Sequence, residues 1–392
     1  MNKIKIVLAG IGGYGSLYVN EVLKPENRDK FELVGTVDPY PESCRRLDDV
    51  RAVCGEVYRT LDEFYAEHKA DLAVISTPIQ FHTENIITAL RHGSDVLCEK
   101  PLCGDARDID MLERAETETG HHVSIGYQWS HSEAIGRLKA DIMSGMYGDP
   151  ESLRTLVLWP RDRKYFGRGT GWAGRIRAAD GSLIYDSVAN NAAAHYLHNM
   201  LYVTGAAPDL SRRVTDVSAT LARVNDIENF DTAIIRCTLE GGAEALFAAS
   251  HTTDVTVNPI FDYKFTRGRI TFSQDPPPAS LKDSDAYAVG RIVGVTDAGE
   301  THDYGDPFLF PERKLHIAAA ITSGECNAPV CGIRAASEHT RLINKIGESF
   351  DISSFDPALI REHGELLYID GLADRLISVY NGETHDIGDL LK

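Results

Sequence analysis

Residues 4–16 read Ile4-Lys5-Ile6-Val7-Leu8-Ala9-Gly10-Ile11-Gly12-Gly13-Tyr14-Gly15-Ser16. A short apolar, β-branched run stops on glycine, and Gly10–Gly15 spell G-x-G-x-x-G directly before Ser16–Leu23, a segment that can be helical. Alone, such a hexapeptide arises by chance. Between a strand and a helix the glycines have separate roles. Gly10 permits the tight turn, Gly12 lets backbone approach a pyrophosphate, and Gly15 allows close helix–strand packing. The N–H groups and positive dipole end of the helix then face phosphates. The pattern points to a dinucleotide.

The second requirement of that reading is a carboxylate about 20 residues on. Asp38 closes the run Phe31–Val37. There it accepts hydrogen bonds from an adenosine ribose and repels a 2′-phosphate, which favours NAD over NADP. Arg45 and Arg46 follow; they could serve a 2′-phosphate, although a solvated helix face is the commoner fate of such a pair.

Further runs, Asp71–Ser76, Asp95–Cys98 and His122–Ile125, alternate with helical spacing over Leu61–His68, Thr83–Arg91 and Ala106–Thr119. Gly93 and Gly120 stand where helix C-caps belong. Short buried strands separated by helices make βαβ units and a doubly wound parallel sheet. After Gly148-Asp149-Pro150 strands follow one another: Ser152–Trp159, Val214–Ala222, Phe230–Leu239, Glu244–Ser250, Phe261–Thr266 and Arg269–Phe272. Two helical segments interrupt, Ala189–Val203 and Lys314–Ser323, and the region Ala335–Val379 reads as helical again. The expected class is α/β, with a second, α+β domain built on a large, mostly antiparallel open sheet. The expected domains are residues 1–126 and 127–392.

Composition sets the outer bounds. Of 392 residues 43% are apolar and 25% charged, which excludes wholesale disorder, and a net charge of −18 argues against a nucleic-acid or anionic-membrane binder. No apolar run approaches the roughly 20 residues that span a bilayer. The N-terminal run Ile6–Ala9 is too short for a secretory leader. Seven scattered cysteines, none in a C-x-x-C pair, fit a reduced, cytoplasmic compartment, and ligands this dispersed give no metal site.

The strand Asp95–Cys98 runs into Glu99-Lys100-Pro101. Carboxyl ends of strands in an open α/β sheet point into the ligand crevice, so Lys100 projects where a nicotinamide belongs and can steady a substrate oxygen as hydride leaves. With Gly10–Gly15, Ser76-Thr77-Pro78 followed by His82, Glu99-Lys100-Pro101, Ile125-Gly126-Tyr127-Gln128 and the exit segment Leu138–Pro150 in view, the chain resembles the glucose–fructose oxidoreductase / inositol dehydrogenase (Gfo/Idh/MocA) family over at least residues 4–205. The resemblance implies a Rossmann domain and NAD(P)-linked oxidation or reduction of sugars, cyclitols or related carbinols. It implies a cofactor held by Gly10, Gly12, Gly13, Tyr14, Gly15, Asp38, Thr77, Pro78, His82, Glu99, Lys100 and Gln128. It also implies a homo-oligomer, dimer or tetramer, formed through the C-terminal sheet.

Members of that family commonly carry D-x-x-x-H on the first helix of the second domain, the histidine as general base. Aligning Thr204-Gly205 with the end of that helix puts the histidine at His195 and the acid position on Asn191, a departure from the pattern. Residues i and i+4 share a helical face, and an imidazole suits proton removal near neutral pH. Asp186 is the alternative source of a carboxylate, and His198 the alternative histidine. Ahead of the helix, Trp159, Arg161, Arg163, Tyr165, Trp172 and Arg175 form an aromatic and arginine-rich stretch suited to a sugar ring or to a subunit contact. Lys100, His195 and Asn191 are therefore the expected catalytic residues of an NAD-dependent carbohydrate or cyclitol dehydrogenase, acting on a secondary hydroxyl such as pyranoside C3. The rivals are a glycosidase working through transient oxidation and elimination, and a non-catalytic NAD-binding sensor.

Overall fold

The computed structural model describes residues 3–168 and 171–392, which separate into two compact units. The first runs to Ser132 and regains Phe310–Ser337; the second comprises Glu133–Leu309 and Glu338–Lys392.

In the first unit five strands, β1 (Ile4–Ala9), β2 (Phe31–Val37), β3 (Leu72–Ile75), β4 (Asp95–Cys98) and β5 (Val123–Ile125), form an all-parallel sheet in the order β2-β1-β3-β4-β5. Helices α1 (Ser16–Val22), α2 (Leu47–Cys54), α3 (Leu61–Glu67), α4 (His82–Arg91) and α5 (Ile109–Thr119) connect them. Register matters most for function. Ala9 pairs with Val37 and with Ile75, Ile75 with Cys98, and Cys98 with Ile125. The residues that follow, Gly10, Asp38, Ser76, Glu99 and Gly126, therefore lie along one edge of the sheet. Strand order reverses at β1, which makes the gap between β1 and β3 the switch point where open α/β sheets bind ligands.

The expected boundary at residue 126 falls six residues early, and the return of residues 310–337 to the first unit departs from the expected division. Helix α9 (Arg313–Thr322) buries Leu315, Ala318 and Ala319 in the same core as Ile6, Leu8, Val74 and Leu97. Helical periodicity reveals an apolar face but not which sheet will cover it.

The second unit is built on a nine-stranded sheet. Its strands are β6 (Pro150–Leu158), β7 (Val214–Arg223), β8 (Thr232–Leu239), β9 (Glu244–Ser250), β10 (Val257–Phe265), β11 (Gly268–Ser273), β12 (Ile292–Thr296), β13 (Thr301–Gly305) and β14 (Ile352–Ser354), in the order β13-β12-β11-β10-β6-β9-β8-β7-β14. Only β6/β9 and β7/β14 run parallel. A separate hairpin joins β15 (Ile360–His363) to β16 (Leu366–Ile369). The helices are α6 (Glu133–Met143), α7 (Arg163–Phe166), α8 (Ala194–Val203), α10 (Ile333–Ser349), whose first turn belongs to the first unit, and α11 (Leu372–Asn381). Leu372, Leu376 and Tyr380 of α11 pack on Leu156, Leu158, Leu246 and Ala248 of the sheet.

The strands expected here all form, within a few residues. Several elements depart from expectation. The helix expected from Ala189 begins at Ala194, and the region read as helical from Ala335 to Val379 also holds β14, β15 and β16. Strands β12 and β13 and helix α2 have no counterpart in the sequence reading.

Candidate functional site

The glycine loop confirms its spacing in steric terms. Gly10 has φ +82°, and a Cβ there would stand 2.5 Å from the carbonyl oxygen of Ser76. A Cβ on Gly15 would stand 2.0 Å from the Gly10 carbonyl oxygen. At Gly12 a Cβ would meet the Ser43 hydroxyl, so the loop after β2 closes onto it. Gly13 (φ +50°) faces open space, and Tyr14 beside it is exposed. Gly13, Ser16, Val19 and Asn20 line a cavity of about 520 Å³ together with Ser43, Cys44, Arg45 and Arg46. A loop that only glycine can build, open on one side and backed by such a cavity, fits a dinucleotide.

Asp38 directly follows β2, on the same sheet edge as the glycine loop. Its Oδ2 accepts from the Ile11 N–H at 3.0 Å and its Oδ1 from the Tyr40 N–H at 2.9 Å, which holds the carboxylate against the glycine loop. Arg46 is paired with Asp49 at 2.7 Å, while Arg45 stays exposed beside the cavity.

At the end of β4, Lys100 is half-buried and its peptide bond to Pro101 is cis. The Glu99 side chain turns inward rather than towards a ligand. It accepts from the Tyr18 hydroxyl at 2.5 Å and forms a salt bridge with Lys314 of α9, an ammonium with no solvent exposure. Lys314 also donates to the Tyr14 hydroxyl at 3.0 Å and lies over the rings of Tyr14 and Tyr18. Burial disfavours the Glu99 carboxylate, but the Lys314 charge and the hydrogen bonds from Lys314 and Tyr18 outweigh it and hold its pKa below the ordinary value. Burial likewise works against charge on Lys314, and Glu99 raises it again. The pair stays ionised. Gly126 is glycine because a Cβ would stand 2.8 Å from Glu99 Oε1.

His82, expected to touch the cofactor, is buried and acts as a clamp. Its Nδ1 lies 2.8 Å from the Pro101 carbonyl oxygen and its Nε2 3.0 Å from that of Thr77. Burial lowers its pKa, so the ring is neutral and donates to one of the two. It ties the turn after β3 to the turn carrying Lys100. The Thr77 hydroxyl accepts from Asn85 at 3.1 Å, Pro78 is exposed, and half-buried Gln128 opens an otherwise buried 3₁₀ turn after β5.

In the second unit His195 is half-buried in the first turn of α8. Asn191 is not on that helix. It belongs to the preceding turn, with its N–H on the Ser187 carbonyl at 3.0 Å, so the expected shared helical face does not exist. Asp186 is buried and accepts from the Gly174 N–H at 2.6 Å. His198 is fully buried, stacked on Tyr202 at 5.5 Å, a core position. His195 and Tyr196 are ring neighbours at 6.4 Å, and Tyr196 meets Trp159 edge-on at 5.6 Å, which links the helix to the aromatic stretch.

That stretch divides in two. Arg163 pairs with Glu362 at 2.6 Å and Arg175 with Glu228 at 3.0 Å, all four exposed, which removes both from the expected pocket. Trp159, Arg161, Tyr165 and Trp172 are half-buried together with Arg168, which sequence reasoning missed. The Arg161 guanidinium lies over Trp159 (5.5 Å) and Tyr165 (5.1 Å), and that of Arg168 over Tyr165 (3.5 Å) and Trp172 (4.9 Å). His251 packs on Tyr165, and its Nδ1 lies 2.7 Å from the Trp159 carbonyl oxygen. Burial, with Arg161 and Arg168 near, drives its pKa down to about 3, so it adds no charge.

Among the described residues no His, Cys, Asp and Glu group could hold a metal, no helix is long and apolar enough to cross a membrane, and the seven cysteines are unbridged.

Residues 4–127 match a family described as "Oxidoreductase family, NAD-binding Rossmann fold". Inositol 2-dehydrogenase 1 of Mycolicibacterium vanbaalenii is 28% identical over 151 residues, 38% of this chain and 43% of that protein. The 2,7-anhydro-N-acetylneuraminate hydratase of Mediterraneibacter gnavus is 29% identical over 148 residues, 38% of either chain. The chain thus matches less than half the length of these relatives. The crystal structure of the WlbA dehydrogenase from Bordetella pertussis, in complex with NADH and UDP-GlcNAcA, has the same fold: TM-score 0.67, 21% identity, covering 88% of this chain and 96% of that one.

Proposed function

We propose that the chain, whose residues 4–127 match the NAD-binding Rossmann domain of the Gfo/Idh/MocA oxidoreductases, is an NAD-dependent dehydrogenase of a sugar, glycoside or cyclitol secondary hydroxyl. The observation that carries the reading is the shared edge of the parallel sheet, where Gly10, Asp38 and the Glu99-Lys100-Pro101 turn follow strands in register. Gly10, Gly12, Gly13, Tyr14 and Gly15 cradle the pyrophosphate, and Asp38 takes the adenosine ribose. Bound there, the nicotinamide supplies an acceptor for hydride from the carbinol carbon.

The protein's own groups do the rest. Lys100 donates a hydrogen bond to the substrate oxygen and stabilises its developing negative charge. His195 accepts the hydroxyl proton, and Asn191 orients the ring from the preceding turn. His82 and the Glu99–Lys314 pair act behind Lys100, fixing the turn from both sides. The inositol dehydrogenase among the relatives supports a polyol substrate, and the NADH of the WlbA complex supports the cofactor. A cytoplasmic enzyme that assembles through its nine-stranded sheet remains part of the proposal; sedimentation measures the assembly.

A second reading has one observation in its favour. One of the relatives is named a hydratase, and addition of water, like hydrolysis by a glycosidase using transient oxidation, leaves the net oxidation state of the sugar unchanged. Incubation of the purified chain with NAD and a panel of sugars, glycosides and cyclitols separates the two. Stoichiometric NADH with a ketone product supports the dehydrogenase, and a changed sugar without NADH supports the second reading. Dinucleotide binding with no sugar altered overturns both in favour of a sensor.

A further inference from the structure

Four arginines of the segment Trp159–Arg175 receive different treatment. Arg163 and Arg175, at the surface, are each matched by a glutamate, whereas Arg161 and Arg168 form no ion pair among the described residues. Both of these lie over the ring of Tyr165, with Trp159 and Trp172 completing the stack. The Nε of Arg161 is buried and has no hydrogen-bond partner among the described residues. Of the flanking carboxylates, Asp162 accepts from the Tyr165 N–H at 3.0 Å, and Asp186 accepts from the Gly174 N–H at 2.6 Å while its charge also acts on the Tyr165 ring; it offsets part of the positive charge gathered there. His251, in contact with Tyr165, is neutral.

Two cations held against one half-buried ring repel each other more strongly than they would in water. Cation–π attraction offsets part of that cost. Arg168 already donates from Nη1 to the Tyr165 carbonyl oxygen, which fixes its plane. Its remaining N–H donors and those of Arg161 lie in the guanidinium planes, away from the ring faces, and are left for a forked acceptor. The surrounding molecule carries a net charge of −18, so an anionic ligand is repelled at a distance and needs a local positive site to be held at all. Trp159 also abuts Tyr196, the neighbour of His195, so the stack continues to the helix that bears the proposed base.

We propose that Arg161 and Arg168 form an oxyanion subsite, and that the substrate is a carbohydrate carrying a carboxylate or a phosphate. The subsite itself stands on geometry within the second unit. Its meaning for catalysis rests on the dehydrogenase reading.

D-Glucuronate, D-glucose 6-phosphate and D-glucose serve as probes of the full chain with NAD present, by calorimetry and by NADH formation. At least one anion should bind about tenfold or more tightly than glucose, the lower end of what charge-assisted hydrogen bonds supply. Which anion wins distinguishes carboxylate from phosphate. Arg161→Gln and Arg168→Gln should each abolish most of that preference. Arg168→Lys, which keeps the charge, should recover part of it, and Arg213→Gln, at an exposed pair with Glu240, should leave it intact. Unchanged melting profiles show that the variants fold. Anions that bind no better than glucose, or a preference that survives both glutamine variants, overturn the subsite. Preferential binding with no NADH from any sugar leaves the subsite standing and counts against the dehydrogenase. NADH from glucose as readily as from the anions, with no effect of the variants, does the reverse.

Discussion

Replacing Lys314 with Met removes one half of an ion pair that water does not reach. Lys314 has no exposed surface and Glu99 only 7%. In the variant the Glu99 carboxylate keeps the Tyr18 hydroxyl at 2.5 Å and the Lys100 backbone N–H at 3.3 Å, but loses the Lys314 ammonium. Removing one partner of a buried pair typically costs about 3–5 kcal/mol, because the other charge is left uncompensated. That is a large part of a total stability of roughly 5–15 kcal/mol, and it corresponds to a fall of roughly 6–20 °C in melting temperature. Differential scanning calorimetry of wild type, Lys314→Met, Glu99→Gln and the double variant measures both the loss and the coupling. The double variant should be less damaged than the two single losses together, by about 1–3 kcal/mol. Single variants within about 1 kcal/mol of wild type, or losses that simply add, would show that the pair is not the buried unit described above.

Three further outcomes are expected. Asp38→Ala should weaken NAD binding about tenfold or more by loss of charged hydrogen bonds, and should erode the preference over NADP; a cofactor titration in which the ratio does not move contradicts the ribose assignment. Gly15→Ala forces a Cβ to 2.0 Å from the Gly10 carbonyl oxygen and should destabilise by about 1–3 kcal/mol or more; a melt indistinguishable from wild type contradicts the packing. Acid should weaken the fold through His131, whose pKa burial lowers to about 4. Below the ordinary imidazole pKa of about 6.5 the unfolded chain takes up a proton that the folded chain does not, so this stability is intact above about pH 6.5 and lost progressively below it, to roughly 3 kcal/mol by pH 4. Urea titrations should show a shallower pH slope for His131→Gln, and an identical slope would sink the assignment.

Legibility in the sequence followed the range of the forces involved. The first sheet was readable because its strands are short apolar runs, β1 and β5 ended by glycine and β2 by Asp-Pro, and because the glycine hexapeptide needs only local geometry. Strand β13, Thr-His-Asp-Tyr-Gly, was missed because a polar edge strand carries no hydrophobic signature. The hairpin β15/β16 holds Ile-Arg-Glu-His against Leu-Leu-Tyr-Ile, too short and too charged on one arm to separate from helix by period. At the site, the placement of the glycine loop, Asp38 and Lys100 along one edge of the sheet was legible from motif and register. Lys314 was not, because its partner lies 215 residues away and nothing local marks a lysine for burial. Arg168 was passed over in favour of Arg163 and Arg175, and only the glutamates opposite those two, at Glu362 and Glu228, distinguish the pairs. Asn191 was placed on a helix because the family's D-x-x-x-H pattern was laid over a helix read from Ala189, whereas the helix begins at Ala194.

The most direct test compares wild type with Lys100→Met for NADH formation from the best substrate found and for NAD affinity by fluorescence titration. Loss of turnover by about 10²–10³-fold, the usual effect of deleting a donor to a developing oxyanion, with cofactor affinity nearly unchanged, is the predicted result. Turnover that persists, or falls only in step with cofactor binding, would contradict a chemical role for the ammonium at the end of β4.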